Sequence, residues 1–177
     1  MSGTKWSKFH VKGNGFQTFA GTTDVYSNWH PSVFTMTFDG VAYTFCSSEQ
    51  ALMFEKARVF GDKDVMAKII AAKDQDIIKQ LGREVKNFNE KFWTENRQQI
   101  MINILVQKFG QNPEMLKVLL ASGDDVLIEA SPWDKIWGIG KGPVGVTADP
   151  STWSGTNILG YSLMEARALL RKTIVSQ

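Results

Sequence analysis

The residues best suited to chemistry stand together in one stretch, Ser131-Pro132-Trp133-Asp134-Lys135-Ile136-Trp137-Gly138-Ile139-Gly140-Lys141-Gly142. Trp133 and Trp137 bracket the carboxylate of Asp134, and a glycine-rich turn carrying Lys141 follows. An indole face can hold a planar base, a carboxylate can take or give a proton, and glycines let backbone N–H groups approach an anion. No other stretch combines all three capacities. Local sequence alone leaves two readings open: a site, or an aromatic-rich loop.

One tempting motif is rejected. Gly140-Lys141-Gly142-Pro143-Val144-Gly145 satisfies Gly-x-Gly-x-x-Gly literally. A dinucleotide fingerprint needs a strand before it and a helix directly after, within a βαβ unit. Here an aspartate–tryptophan loop precedes, and Pro143 and Pro150 follow. Lys141 is not followed by Ser or Thr, so there is no P-loop either.

Composition narrows the remaining chemistry. The chain has 177 residues, 43% apolar and 21% charged, which is ordinary for a soluble globular domain with a real core. A net charge of +2 selects neither for nor against an acidic partner. Cys46 is the single cysteine, so no intramolecular disulfide forms, which suits a reducing compartment. No run of eighteen apolar residues exists, and the start Met1-Ser2-Gly3-Thr4-Lys5-Trp6 has no apolar signal region. The expected address is cytoplasmic, with no membrane partner. His10, His30 and Cys46 lack close metal-ligand spacing, so no nitrogen- or sulfur-ligated zinc site is expected. With only two histidines and no Gly-x-Ser-x-Gly elbow, carboxylates become the acid–base groups by elimination.

The elements that must position these groups follow from pattern. Residues 1–26 read as an N-terminal arm, with Lys5, Lys8, His10 and Lys12 among aromatics and one short strand over 15–20. A basic-aromatic arm can touch nucleic acid, although a frayed terminus is the commoner case. Alternation over 33–38 and 41–45 around Asp39-Gly40 predicts a type I′ hairpin. Ser47, with Gln50 three residues later, predicts a capped helix to about Phe60. Two short helices follow over 62–73 and 74–81, with Gly82-Arg83 as the stop. Asn89 opens a long helix to about Phe109, whose stripe includes Trp93, Arg97, Met101, Ile104 and Leu105. Asn112-Pro113 opens another, residues 126–130 read as a strand, and Asn157 caps a last helix from Ile158 to about Lys172. The fold class is α+β, predominantly helical, a single domain with a small β-sheet or hairpin.

On local grounds several candidates have bland readings. Glu49, in the first turn of its helix, complements the helix dipole. Lys56 lies seven residues on, so both occupy one side of that helix. Trp93 reads as core packing. Arg58, Arg83, Lys56 and Lys141 read as solvated surface groups that can also hold phosphate. Cys46 reads as a small core residue.

Taken together, the residues from Ser27 to Lys172 resemble the YbiA-like, or NADAR, family. The resemblance rests on Ser27-Asn28-Trp29, Ser48-Glu49-Gln50, Lys56-Ala57 and Leu81-Gly82-Arg83. It continues through Trp93, Lys108-Phe109-Gly110-Gln111-Asn112-Pro113, Gly123-Asp124, Glu129-Ala130-Ser131-Pro132-Trp133-Asp134 and Trp137-Gly138-Ile139-Gly140. It closes on Asn157-Ile158-Leu159-Gly160-Tyr161-Ser162-Leu163-Met164-Glu165-Ala166-Arg167. The turn reads Ser-Asn-Trp where the family usually has Ser-Asn-Phe, and Ala51 stands where the family has an aromatic.

The resemblance implies a YbiA-like domain over 27–177 and hydrolysis of an N-glycosidic bond between ribose and a base-like amine. Family substrates include phosphoribosylated pyrimidine intermediates of riboflavin synthesis and ADP-ribose linked to guanine, free or within nucleic acid. It implies Glu49 and Asp134 as catalytic residues. Ser27, Asn28, Lys56, Trp93, Trp137, Gly138 and Asn157 would contact substrate, with no metal or redox cofactor. Glu49 would stabilise the sugar cation and align water. Asp134 would protonate the leaving base, its acidity tuned by desolvation against Trp133 or Trp137, or grip the ribose hydroxyls. The expectation is that Glu49, Trp93, Asp134 and Trp137 converge on one pocket. Two rival readings remain: a module that binds ADP-ribose or a related nucleotide without cleaving it, and an enzyme acting on modified nucleic acid through the basic arm.

Overall fold

The computed structural model describes residues 12, 13 and 15–175. The basic-aromatic segment from Lys5 lies outside the described residues except for the backbone of Lys12. In chain order the elements are β1 (Lys12–Gly13), β2 (Phe16–Phe19), β3 (Phe34–Phe38), β4 (Val41–Phe45), α1 (Ser48–Val59), α2 (Lys63–Ala71), α3 (Gln75–Arg83), α4 (Glu90–Gly110), α5 (Pro113–Ala121), β5 (Val126–Glu129) and α6 (Ile158–Val175). They gather into two compact units: Pro31–Asn112, and the chain up to His30 together with the chain from Pro113 onward. No helix among the described residues is long and apolar enough to cross a membrane.

The Pro31–Asn112 unit starts from the hairpin. β3 and β4 pair antiparallel in the register Phe34↔Phe45 to Phe38↔Val41. Asp39 and Gly40 both take positive φ, 50° and 80°, which is the type I′ geometry predicted from their types. The inner face lays Phe38, Tyr43 and Phe45 around Phe54 of α1, with ring centroids between 4.7 and 5.8 Å from it. The outer edge of β3 is closed by a side chain: Gln111 accepts from the N–H of Thr35 at 2.9 Å and donates to its carbonyl at 2.8 Å.

α1 is the hub of this unit, packing on α2, α3 and α4. Ser47 caps it by accepting from Gln50 N at 3.1 Å. The reciprocal arm differs from the usual capping box, because Gln50 Oε1 accepts from Cys46 N rather than from the capping residue. Gln50 Nε2 then reaches the carbonyls of Ile69 and Ala72 and pins the end of α2. The helix ends at the expected Gly82-Arg83 pair, with both residues forming its last turn rather than following it. Glycine there leaves room for the Met53 side chain of α1, whose Sδ a Cβ would meet at 2.0 Å and displace.

The other unit is organised on a sheet of order β1-β2-β5. The strand expected over 15–20 is present as β2. It is the middle strand of that sheet rather than part of a loose arm, parallel to β5 from Phe16↔Val126 to Phe19↔Glu129. The free edge of β5 is occupied by Asn157, whose Nδ2 donates to Leu127 O at 3.0 Å and whose Oδ1 accepts from Glu129 N at 3.0 Å.

This corrects the capping role expected for the Asn157 side chain. The carbonyl of Asn157 does accept the first helical bond, from Tyr161 N, but its amide serves the strand. The N-terminus of α6 is instead satisfied by the preceding loop, where Ile136 O and Trp137 O accept from Ile158 N and Leu159 N. Asn157 itself sits at φ 51°, a left-handed conformation that asparagine tolerates better than most residues. One turn on, Gly160 lies so close to β5 that a Cβ would meet Leu127 O at 2.0 Å. Further along α6, Arg167 donates to Ser122 Oγ and to Asp125 O, fixing the turn that leads into β5.

Replacing Asn157 with alanine strands a buried donor and a buried acceptor on β5. Urea unfolding of Asn157→Ala should show a loss of about 2–6 kcal/mol, from two unsatisfied groups costing about 1–3 kcal/mol each. A loss below about 1 kcal/mol would contradict the role assigned to this amide.

Candidate functional site

The Asp134 loop is built around its carboxylate. Asp134 Oδ1 accepts from the N–H groups of Ile136 and Trp137, both at 2.8 Å, and its carbonyl accepts from Gly140 N at 2.9 Å. This Asx-type turn explains why an aspartate precedes the glycine run. Gly138 is buried and sits against β5, where a Cβ would meet Glu129 O at 2.8 Å. Its carbonyl accepts from Asn157 N at 3.0 Å. Of the residues expected to touch substrate, Gly138 and Asn157 are thus engaged in holding the loop to β5 and α6. Lys141 is engaged too, donating to the carbonyl of Thr152.

Trp137 is half-buried, whereas Trp133 is 93% exposed. Trp133 therefore keeps nearly all of its ring in solvent. It rims a cavity of about 300 Å³ within this unit, together with Gly21, Ser27, Trp29, Glu129 and Ser131. Ser27 enters through its own turn: it is buried, and its Oγ accepts from Trp29 N at 3.1 Å. Asn28, the next residue, is also buried. The structure thus brings the Ser27–Trp29 turn and the 129–133 segment to one cavity.

In the Pro31–Asn112 unit a second group assembles. Glu49 is buried, 7% exposed, in the first turn of α1. Two turns on, Lys56 donates to Gly82 O at 2.7 Å and lies 4.4 Å from the ring centroid of Phe88 and 5.9 Å from that of Trp93. Burial holds the Lys56 ammonium below its usual pKa; Glu90 works against that shift and Arg83 adds to it. Trp93 is buried on the apolar side of α4, as its stripe predicts, yet its ring faces a cation. Arg58 points elsewhere. It is paired with Glu55 at 2.7 Å, stacks over Phe38 and lines a different, largely apolar cavity between the hairpin and α2.

Two cavity residues were not singled out as functional by sequence reasoning. Glu129 ends an apolar run that reads simply as a strand, and Trp29 reads as an aromatic in a polar turn. The missing signal was the parallel pairing of β2 with β5, which sets Glu129 at the strand ends.

The family model for the NADAR domain matches residues 16–171, spanning both units. N-glycosidase R617 of Acanthamoeba polyphaga mimivirus is 39% identical over 81% of this chain and 85% of its own length. The riboflavin biosynthesis protein VVA0006 of Vibrio vulnificus is 30% identical over 82% of this chain and 35% of its own length. N-glycosidase YbiA of Escherichia coli is 28% identical over 91% of this chain and 92% of its own. The solution NMR structure of E. coli YbiA superposes with a TM-score of 0.73 at 26% identity, covering 97% of this chain and 94% of that one. The chain belongs to the NADAR family and has the α+β, predominantly helical fold of YbiA.

The lowered pKa of Lys56 has a consequence for stability. Below that lowered value the lysine is charged in both folded and unfolded chains, and its burial is a cost. Between that value and the ordinary 10.5, the unfolded chain holds a proton that the folded chain has released, so stability rises with pH. Thermal unfolding from neutral pH towards 10.5 should show wild type gaining on Lys56→Met. A constant difference across that range would contradict it.

Proposed function

We propose that this chain hydrolyses the N-glycosidic bond between a phosphoribosyl or ADP-ribosyl group and a base or base-like amine. The observation that carries the reading is the Asp134 turn, a carboxylate held rigid by its own loop beside an exposed indole. Family membership and the names of the relatives support it: two are N-glycosidases and one is a riboflavin biosynthesis protein.

In the reaction the C1′–N bond breaks with its electron pair on nitrogen, and water forms the new C1′–O bond. Positive charge builds on the sugar, and a fixed carboxylate beside it stabilises that charge. Glu49 takes this role, aligning water and accepting its proton, while the leaving nitrogen takes a proton from solvent. An Asp134 carboxylate whose Oδ1 already accepts two N–H groups is organised as an acceptor. Its Oδ2 is assigned to the ribose hydroxyls, in preference to protonation of the leaving group. Trp93 and Trp137 provide ring surfaces, Lys56 and Asn28 polar contacts, and Ser27 shapes the turn beneath Trp29. Gly138 and Asn157 act by positioning the Asp134 loop.

Release of free base from phosphoribosylamine and ADP-ribosyl substrates tests the assignment. Glu49→Gln should lower kcat by about 100-fold or more. Asp134→Asn, which keeps the turn acceptor, should lower kcat/KM by about 10–100-fold, the range for hydrogen bonds to charged groups. Wild-type rates in both variants, with folding intact by circular dichroism, would overturn the roles. Tight binding of ADP-ribose with no turnover of any ribosylamine would turn the reading into that of a nucleotide-binding module.

A further inference from the structure

The Pro31–Asn112 unit holds a cavity that the proposed reaction does not use. It measures about 640 Å³, in the middle of the range for small-molecule sites. Phe38 and Tyr43 of the hairpin and Phe54 of α1 give it an aromatic wall, and Met66 and Ile70 of α2 add aliphatic surface. Such walls take a flat apolar body, and the flexible thioether of Met66 adapts to its outline. None of Glu49, Lys56 and Trp93 lines this space. Arg58, which does, stands two residues beyond Lys56 and so on the opposite side of α1.

The polar groups of the lining are few, and most of them are donors. Glu55 takes the Nε–H of Arg58 at 2.7 Å, and the guanidinium carbon lies 4.8 Å from the ring centroid of Phe38. The guanidinium is therefore fixed at one edge and on one face. Its two terminal nitrogens have no hydrogen-bond partner among the described residues. The same holds for the ammonium of Lys63 and the hydroxyl of Tyr43, both in the lining. Two parallel N–H groups of a guanidinium match the two oxygens of a carboxylate. Asp39 is the one carboxylate in the lining, so Arg58, Lys63 and Asp39 together leave a single positive charge. That balance suits a monoanion better than a doubly charged phosphate ester.

We infer that this cavity is a binding site for an aromatic monocarboxylate, its ring against Phe38, Tyr43 and Phe54 and its carboxylate on the terminal nitrogens of Arg58. Lys63 strengthens the attraction and Asp39 opposes it. The site lies outside the proposed reaction, and its test needs no turnover.

The probes are 2-naphthoate and 2-naphthamide, which share a ring system and differ in charge. Titration calorimetry with the full chain at low ionic strength should show naphthoate favoured by about tenfold or more, as for a hydrogen bond to a charged group. Arg58→Gln should remove that preference. Lys63→Ala, at an exposed position, should weaken naphthoate about threefold. Asp39→Asn keeps a residue that tolerates the positive φ of the turn, and should tighten naphthoate about threefold without changing naphthamide. Ala67→Arg, on the exposed side of α2, fills the lining and should block both probes. Binding of neither probe at millimolar concentration, equal binding of the two, or naphthoate binding that survives Ala67→Arg would each overturn the inference. Should Arg58→Gln fail to fold, unchanged affinity in both Lys63→Ala and Asp39→Asn would overturn it in its place. Loss of naphthoate binding in a folded Glu49→Gln variant would put the ligand in the other group of residues. A free chain that sediments as a dimer, and is split by Ala67→Arg, would give the cavity to a second copy. Either result would also overturn the inference.

Discussion

The carboxamide of Asn157 is the interaction on which the Asp134 half of the molecule depends. It stands in for a missing strand, taking the N–H of Glu129 and the carbonyl of Leu127. Its own backbone N–H binds Gly138, and its carbonyl starts α6. One side chain therefore joins a strand, a loop and a helix at a single point. Hydrogen bonds to buried backbone are worth most where no water can replace them, and Asn157 is fully buried. Gly160 and Gly138 serve the same junction by subtraction, since a methyl group at either would collide with backbone carbonyls of β5. The closeness of that junction fixes the direction in which the chain leaves β5, and with it the placement of Asp134 and Trp133.

The other half depends on α1 in a comparable way. Its N-terminus carries Glu49 and is locked by Ser47 and Gln50, which bind each other's neighbourhood and the end of α2. Seven residues on, its body holds Lys56 against the aromatic rings of Phe88 and Trp93. Arg58, two residues further, faces the hairpin ring of Phe38 instead. A step of two along a helix turns through roughly 200°, so the two cations serve opposite sides of one helix. The charge that accompanies Glu49 is thereby separated from the charge that packs the hairpin.

Much of this was legible in the residues, and for identifiable reasons. Asp39-Gly40 defines its turn because few residue pairs accept positive φ together. Ser47, Asn89 and the stripe along α4 define helices because capping and periodicity act over a few residues. What stayed hidden was set by distant pairing. The side chain of Asn157 was expected to cap its own helix, and only the position of β5 reveals why it does not. Gly82-Arg83 was expected to end α3 and does, and only the fold shows that Gly82 also leaves room for Met53. Glu129 and Trp29 gained meaning once β2 was seen beside β5, because the two strands are separated by more than a hundred residues of chain. Trp133 carries the same lesson: local sequence could not show that nearly all of its ring stands in solvent.

Gln111 and Asn157 share one further property. Each is a carboxamide that presents a donor and an acceptor to the bare edge of a short strand, Thr35 in β3 and the Leu127–Glu129 segment in β5. An open strand edge is a template on which another chain can add itself, and proteins with short sheets must blunt it. Here the blunting is done by two neutral side chains rather than by lysines or prolines. At these two edges the ladders are therefore terminated without added charge.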